Sequence, residues 1–357
     1  MHKLSHYAKA RDNNFNLIRL IAASAVLVSH CFALSSGSPD YEPLRLTVGV
    51  TIASIAVDVF FIASGFLVTS SLLSRRSVSA FIRARALRLY PALIVAILLT
   101  VAVLGTYFTT LPLPQYLISR ETLSYLAHNA SLLLGVRYDL PGVFEQNPYR
   151  NAVNGSLWTL PFEIRMYLIL AALWAVTGFM KDFRQRAFDC ATIALFLASG
   201  VAYIVTGLAP SESDNFLRLF YMFFTGAAYF VCRDRVSLSG GAAWALLLTM
   251  VLAALHGQFF FPIYCIGLAY IFFALAYLPG GFIRRFNLLG DYSYGVYIYA
   301  FPVQQAIAAL IPGVTASTLL TLSGFATLLL AVLSWHFLEK RALALKDLPY
   351  GSKLAAH

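Results

Sequence analysis

An all-α membrane protein that crosses the bilayer many times is what this chain predicts, on three observations. Hydrophobic residues make up 59% of the 357 positions and charged residues only 12%. Mean hydropathy is +0.73. Apolar runs long enough to cross about 30 Å of hydrocarbon recur along the whole sequence. An ordinary soluble domain is excluded by that composition. The net charge of +10 would also suit nucleic acid, but the basic residues fall in short connections between apolar runs. Cytoplasmic retention and anionic lipid account for them there, so membrane lipid is an expected partner and nucleic acid is not.

About ten transmembrane helices are expected, with cores near 15–35, 48–72, 91–109, 158–178, 188–208, 216–232, 242–256, 259–278, 292–311 and 315–337. The first run follows a polar segment holding Lys3, Lys9 and Arg11, is long, and lacks a small-residue cleavage site, so it reads as a retained span. The second carries Asp58 and a small pair, Ser64-Gly65, which permits close backbone approach to a neighbouring helix. An arginine-rich stretch, 81–91, leads into the third. A long outer segment, 110–157, then intervenes; its length suggests function rather than a plain link, and 121–134 has the pattern of an amphipathic surface helix. Windows six to eight are blurred by Pro262 and short turns, which leaves nine or eleven spans open.

Charge alternates between connections as the positive-inside rule requires. Basic connections hold Arg75, Arg76, Arg83, Arg85 and Arg88, then Lys181, Arg184 and Arg186, then Arg233 and Arg235, then Arg284 and Arg285, and finally Lys340, Arg341, Lys346 and Lys353. Those between them, 37–47, 209–215, the His256-Gly257-Gln258 turn and 312–314, are poor in Lys and Arg. Both termini are thus expected in the cytoplasm. Residues 1–345 read as one transmembrane domain and 346–357 as a short cytoplasmic tail, without internal repeats. Cys31, Cys190, Cys232 and Cys265 lack CxxC spacing or nearby His, so they read as packing residues and no metal is expected.

Arg19 and His30 both lie in the first run. Eleven steps of about 100° return almost to the starting azimuth, so on a helix they share one face, roughly 16 Å apart along the axis. An Arg at mid-bilayer costs about 2.5–3.5 kcal/mol by translocon scales, so such groups usually turn to a protein interior or a wet cavity. The alternative is that Arg19 snorkels to the inner interface and His30 makes a structural hydrogen bond. Helical rise places Asp58, which enters span two from outside, and Glu163, in Trp158-Thr159-Leu160-Pro161-Phe162-Glu163 of span four, near the depth of His30. A His with a carboxylate partner suits general-base work, because the carboxylate fixes the tautomer and stabilises the imidazolium. His30, Glu163 and Asp58 are the candidate catalytic residues. A local hydrogen bond for Asp58 and a helix N-terminal charge for Glu163 compete with that reading.

At the inner face, Arg85 and Arg88 are three apart and therefore neighbours on a helix, where guanidiniums bind phosphates bidentately. With Arg83 and Arg19 they form the candidate set for an anionic donor. Taken alone, the positive-inside signal or lipid headgroups explain them at least as well.

These residues together resemble the acyltransferase-3 family of integral membrane acyltransferases over nearly the whole chain. The family's Arg or Lys, ten residues, then His matches Arg19 to His30. Its Asp-hydrophobic-Phe-Phe…Ser-Gly-Phe-Leu segment resembles Asp58 to Leu67, and its Arg-x-x-Arg-hydrophobic-x-Pro segment resembles Arg85 to Pro91. Trp158 to Glu163 with Tyr167, Ser293 to Tyr297, and His336 to Lys340 resemble three later segments. The resemblance implies a ten-helix fold that transfers an acyl group, often acetyl, from cytoplasmic acyl-CoA to an acceptor hydroxyl at the outer side. Carbohydrates and glycolipid precursors are the main acceptors. It makes His30 the catalytic base, Glu163 its partner, and Arg19, Arg85 and Arg88 part of the acyl-CoA path. Two departures stand out. Ala300 occupies a place where many members have His, and no soluble hydrolase-like domain follows the last span, so direct delivery to the acceptor is expected.

The expected activity is therefore acyl-CoA-dependent O-acylation of a carbohydrate or glycolipid at the cell (inner) membrane, with acetyl-CoA the expected donor. The competing class is a proton-coupled transporter of a lipid-linked saccharide or small solute, using Arg19, Asp58, His30 and Glu163 as a relay. A non-catalytic acyl-CoA or lipid sensor would leave His30 and Glu163 without a purpose. Oligomeric state stays open, a homo-oligomer among the alternatives.

Overall fold

A computed structural model describes residues 2–8, 12–75, 77–207, 215–256 and 259–347. Arg76, the 208–214 connection, the Gly257-Gln258 turn and the tail from 348 onward lie outside the described residues. In chain order the α-helices are α1 (Leu4–Ala8), α2 (Phe15–Ser36), α3 (Pro43–Val48), α4 (Ile52–Arg75), α5 (Val78–Leu99), α6 (Thr106–Phe108), α7 (Leu113–Ile118) and α8 (Arg120–Ser131). They continue as α9 (Leu160–Thr177), α10 (Arg184–Gly207), α11 (Asn215–Val231), α12 (Gly240–His256), α13 (Phe260–Tyr277), α14 (Ser293–Leu310), α15 (Ala316–Ser334) and α16 (Lys340–Ala344). Two short strands, β1 (His2–Lys3) and β2 (Ser237–Leu238), pair antiparallel and tie the N-terminal segment to the connection between α11 and α12.

Among the described residues, six helical runs are long and apolar enough to cross a membrane, and α12 is a shorter apolar helix. The chain is thus an all-α, multi-span membrane protein. One of the six covers Gly155–Gly207, 53 residues. Straight, it would reach roughly 80 Å, but Met180 and Lys181 leave helical dihedrals and bend it into α9 and α10. The run from Val78 to Phe108 begins well before the apolar core at 91, continues across Pro91, and loosens into a π-turn at Thr100–Gly105. Tyr116 anchors that turn by donating to the Val101 carbonyl at 3.1 Å. A Cβ on Gly105 would stand 1.7 Å from the same hydroxyl, so a larger residue there would displace the Tyr116 side chain.

α2 lies between α4 and α14, with α11 packed on α4 and α15 on α14. The closest approach is glycine against backbone: a Cβ on Gly65 would meet the Phe223 carbonyl at 1.9 Å, and one on Gly226 the Ile62 carbonyl at 2.0 Å. Gly65 of the Ser64-Gly65 pair therefore serves close packing, as its small size suggests. Gly37 closes α2 in the left-handed region, φ +85°, and donates to the Ala33 carbonyl.

The long segment 110–157 is folded onto the bundle, and it contains the expected amphipathic helix as α8. Within α8, Thr122, Tyr125 and Asn129 are buried, and the helix packs on α5. Further along, Asn147 donates to the carbonyl and side chain of Gln305, Gln305 donates to the Tyr149 and Ala152 carbonyls, and Asn154 donates to the Ile298 carbonyl. These bonds hold residues 147–154 on α14 at Ile298 and Gln305.

Candidate active site

Arginines from two helices converge on one carboxylate at one end of the bundle. Asp291, in the turn before α14, accepts from Arg19 of α2 and Arg88 of α5, both at 2.6 Å on the same oxygen. Its other oxygen accepts from Ser293 at 2.5 Å. Burial alone would raise this carboxyl, but the two guanidiniums outweigh burial and hold it down at about 2. Arg88 also reaches Glu339 at 3.3 Å, and Glu339 accepts from Ser334 at 3.0 Å. A π-turn at Trp335–Glu339 rotates this carboxylate into the protein, where it is almost fully buried.

Above this junction a cavity of about 90 Å³ is lined by Arg19, Arg85, Arg88, Ser64, Glu163 and Tyr167, among others. Glu163 accepts a short hydrogen bond from Tyr167 one turn later, and Ser64 lies 3.4 Å from both. Arg85 faces the Tyr167 ring at 5.9 Å, and its buried Nε has no hydrogen-bond partner. Arg19 and Arg88 thus enter the cavity already paired with carboxylates; Arg85 does not enter paired at Nε. Arg83 is directed elsewhere and donates to the Leu345 carbonyl.

His30 lines a second cavity, of about 230 Å³, on the opposite side of a wall made by Val57 and Tyr297, which border both spaces. Tyr297 is tethered there by a 2.6 Å hydrogen bond with Thr159. The His30 ring stands edge-to-face on Phe301 with centroids 5.1 Å apart, and its buried Nδ1 has no hydrogen-bond partner. The imidazole is therefore turned into the protein beside an open space. Glu163 shares the first cavity with the arginines and makes no hydrogen bond to His30. Asp58 is turned away from both cavities: it accepts from Tyr264 at 2.6 Å and lies 3.3 Å from Arg218 of α11.

Three carboxylates were not singled out from the sequence. Asp291 and Glu339 are the counter-charges of Arg19 and Arg88. Glu42, between α2 and α3, is buried and accepts from Ser29, next to His30, at 2.7 Å and from the Ile52 amide. A count of charge would have pointed to the first two, since buried arginines require carboxylates. Glu42 sits in a polar connection and carries no such signal. Among the described residues, no group of three or more His, Cys, Asp or Glu is placed to hold a metal ion.

Fold and cavities define a multi-pass membrane protein with a chain of ionisable side chains inside its helical bundle. The chain belongs to the acyltransferase-3 family, whose pattern, described as an acyltransferase domain, matches residues 12–336. It is accordingly an acyl-CoA-dependent O-acyltransferase. A protein of Shigella phage Sf6 named O-acetyl transferase is 30% identical, covering 93% of this chain and 96% of its own. Nodulation protein 10 of Rhizobium leguminosarum bv. viciae is 27% identical, covering 96% of each. No solved structure matches.

Proposed function

We propose that the protein moves an acyl group, acetyl in the first instance, from cytoplasmic acyl-CoA to a hydroxyl of a carbohydrate or glycolipid at the outer side of the cell (inner) membrane. The observation that carries this is the pair of adjoining cavities, one holding Arg19, Arg85, Arg88 and Glu163, the other holding His30, with Val57 and Tyr297 bordering both. A donor entering from the arginine end would bring its thioester toward the wall, and an acceptor would approach it from the imidazole side.

In this scheme the acceptor oxygen bonds to the acyl carbon, the carbon–sulfur bond breaks, and the hydroxyl proton passes through His30 to the departing thiolate. Arg85 offers the donor a guanidinium not committed to a carboxylate at Nε, while Arg19 and Arg88 shape the floor beneath it. Glu163, set by Tyr167 and Ser64, balances Arg85 and steadies charge that develops near the wall. Asp58 supports the site by fixing α4 against α11 and α13. The bundle of about ten spans, both termini in the cytoplasm and residues 1–345 forming one catalytic domain complete the reading.

His30→Ala tests it. Expected is loss of acyl transfer to background, a drop of at least about 100-fold for a general base, with unchanged membrane insertion and melting temperature. Acylation at the parent rate would defeat the assignment.

A further inference from the structure

A third cavity, of about 470 Å³, opens beside the outer segment and belongs to neither space described above. Tyr138, Tyr149 and Trp158 supply aromatic walls, and Arg150 and Asn151 supply donors at its edge. Its volume falls within the range of small-molecule sites. Two contacts join it to His30. Trp158 lines both this cavity and that of the imidazole. Tyr149 stands edge-to-face on Phe301 at 6.2 Å, and Phe301 stands edge-to-face on His30 at 5.1 Å.

The lining is mixed in a way that selects among ligands. A lipid chain needs apolar walls without fixed donors; here an exposed Arg150, with no ion-pair partner among the described residues, and a side-chain amide stand beside the rings. Aromatic side chains present an apolar face with a polar tip, and guanidinium and amide groups hydrogen-bond hydroxyls. A sugar ring has both surfaces, apolar C–H faces and a rim of hydroxyls. The frame is also preformed, because Gln305, Asn147 and Asn154 hold this segment on α14.

We propose that this outer cavity is the acceptor subsite and holds one saccharide ring, with the reacting hydroxyl directed past Trp158 toward His30. The proposal rests on the acyltransferase reading above and adds to it where the acceptor sits and which side chains choose it.

The test uses the full chain in detergent micelles, with methyl glycosides of glucose, rhamnose, N-acetylglucosamine and glucuronic acid as probes. Tryptophan emission is read without donor, and acyl transfer is read with acetyl-CoA. At least one glycoside should change the emission saturably, and Trp158→Phe should remove that change. Tyr138→Ala and Arg150→Ala should each raise the half-saturating glycoside concentration about tenfold, the size expected of an anchoring contact. Half-saturation by acetyl-CoA should move by less than about twofold in the same variants. Tyr138→Phe, which keeps the ring, should restore glycoside affinity. Emission unaffected by every glycoside, or variants that bind and turn over like the parent, would overturn the subsite. Glycoside binding with no thiol release from acetyl-CoA would sink the acyltransferase reading and leave the subsite standing, and thiol release without glycoside binding would do the reverse.

Discussion

At Asp291, one carboxylate oxygen serves two guanidiniums from different helices, so neither Arg19 nor Arg88 can be altered without stranding buried charge. Removing one partner of a buried pair typically costs about 3–5 kcal/mol. Arg88→Ala should therefore lower the melting temperature markedly, and Arg88→Met combined with Glu339→Gln should recover part of the loss. A stable Arg88→Ala protein would mean that the junction is not structural. Because the Asp291 carboxyl is held low, its stabilising contribution is present above the ordinary value near 3.9 and is lost only as pH falls toward about 2. Titration between about pH 5 and 8 leaves the two Asp291 ion pairs intact, so activity changes in that window belong to another group. Asp58 invites a parallel experiment. Its partners are Arg218 and Tyr264, not His30, so Asp58→Asn should cost stability while the rate per folded molecule stays within about tenfold of the parent. Loss of rate as complete as in His30→Ala, without loss of stability, would place Asp58 in the chemistry instead.

Among the elements, the apolar windows matched helices because hydrocarbon thickness and helical rise are both visible in a sequence. Their limits failed where polarity hid helix. α5 begins at Val78, since the turns carrying Arg83, Arg85 and Arg88 are helical although too basic for an apolar window. The π-turn at Trp335–Glu339, which aims Glu339 at Arg88, leaves no mark in composition. The crossing of α4 and α11 was half legible: Ser64-Gly65 suggested a close neighbour, but the reciprocal Gly226 could be matched to it only in three dimensions. Gly65→Ala would put a methyl 1.9 Å from a carbonyl oxygen of the facing backbone, and neither backbone can rotate away as a side chain could. Overpacking of this kind costs about 1–3 kcal/mol or more. Expected is a large fall in melting temperature for Gly65→Ala, set against little change for Gly324→Ala, where nothing lies within 4 Å. Equal effects at the two positions would show that the crossing tolerates separation.

Across the whole molecule, the charged residues sort to the two ends in a way that bears on direction. One end gathers the Asp291 junction, the contact of Arg83 with Leu345 and that of Arg284 with Asp12. The other holds Glu42, the outer segment and the His30 cavity. Sequence periodicity predicts one shared face for Arg19 and His30, whereas the two line different cavities; it could not foresee that Val57 and Tyr297 border both, because helix rotation is set by packing. Donor and acceptor roles depend on which end faces the cytoplasm, and the proposed function puts the arginine end there, as the alternation of basic connections predicts. Alkaline phosphatase, active only outside the cytoplasm, should be active when inserted at Glu145 and inactive at Asn287, while a fluorescent protein that folds in the cytoplasm should be bright when fused after the last residue. The reversed pattern would turn the molecule over. The arginines would then face a compartment without acyl-CoA, and His30 would have to meet its donor from the other side.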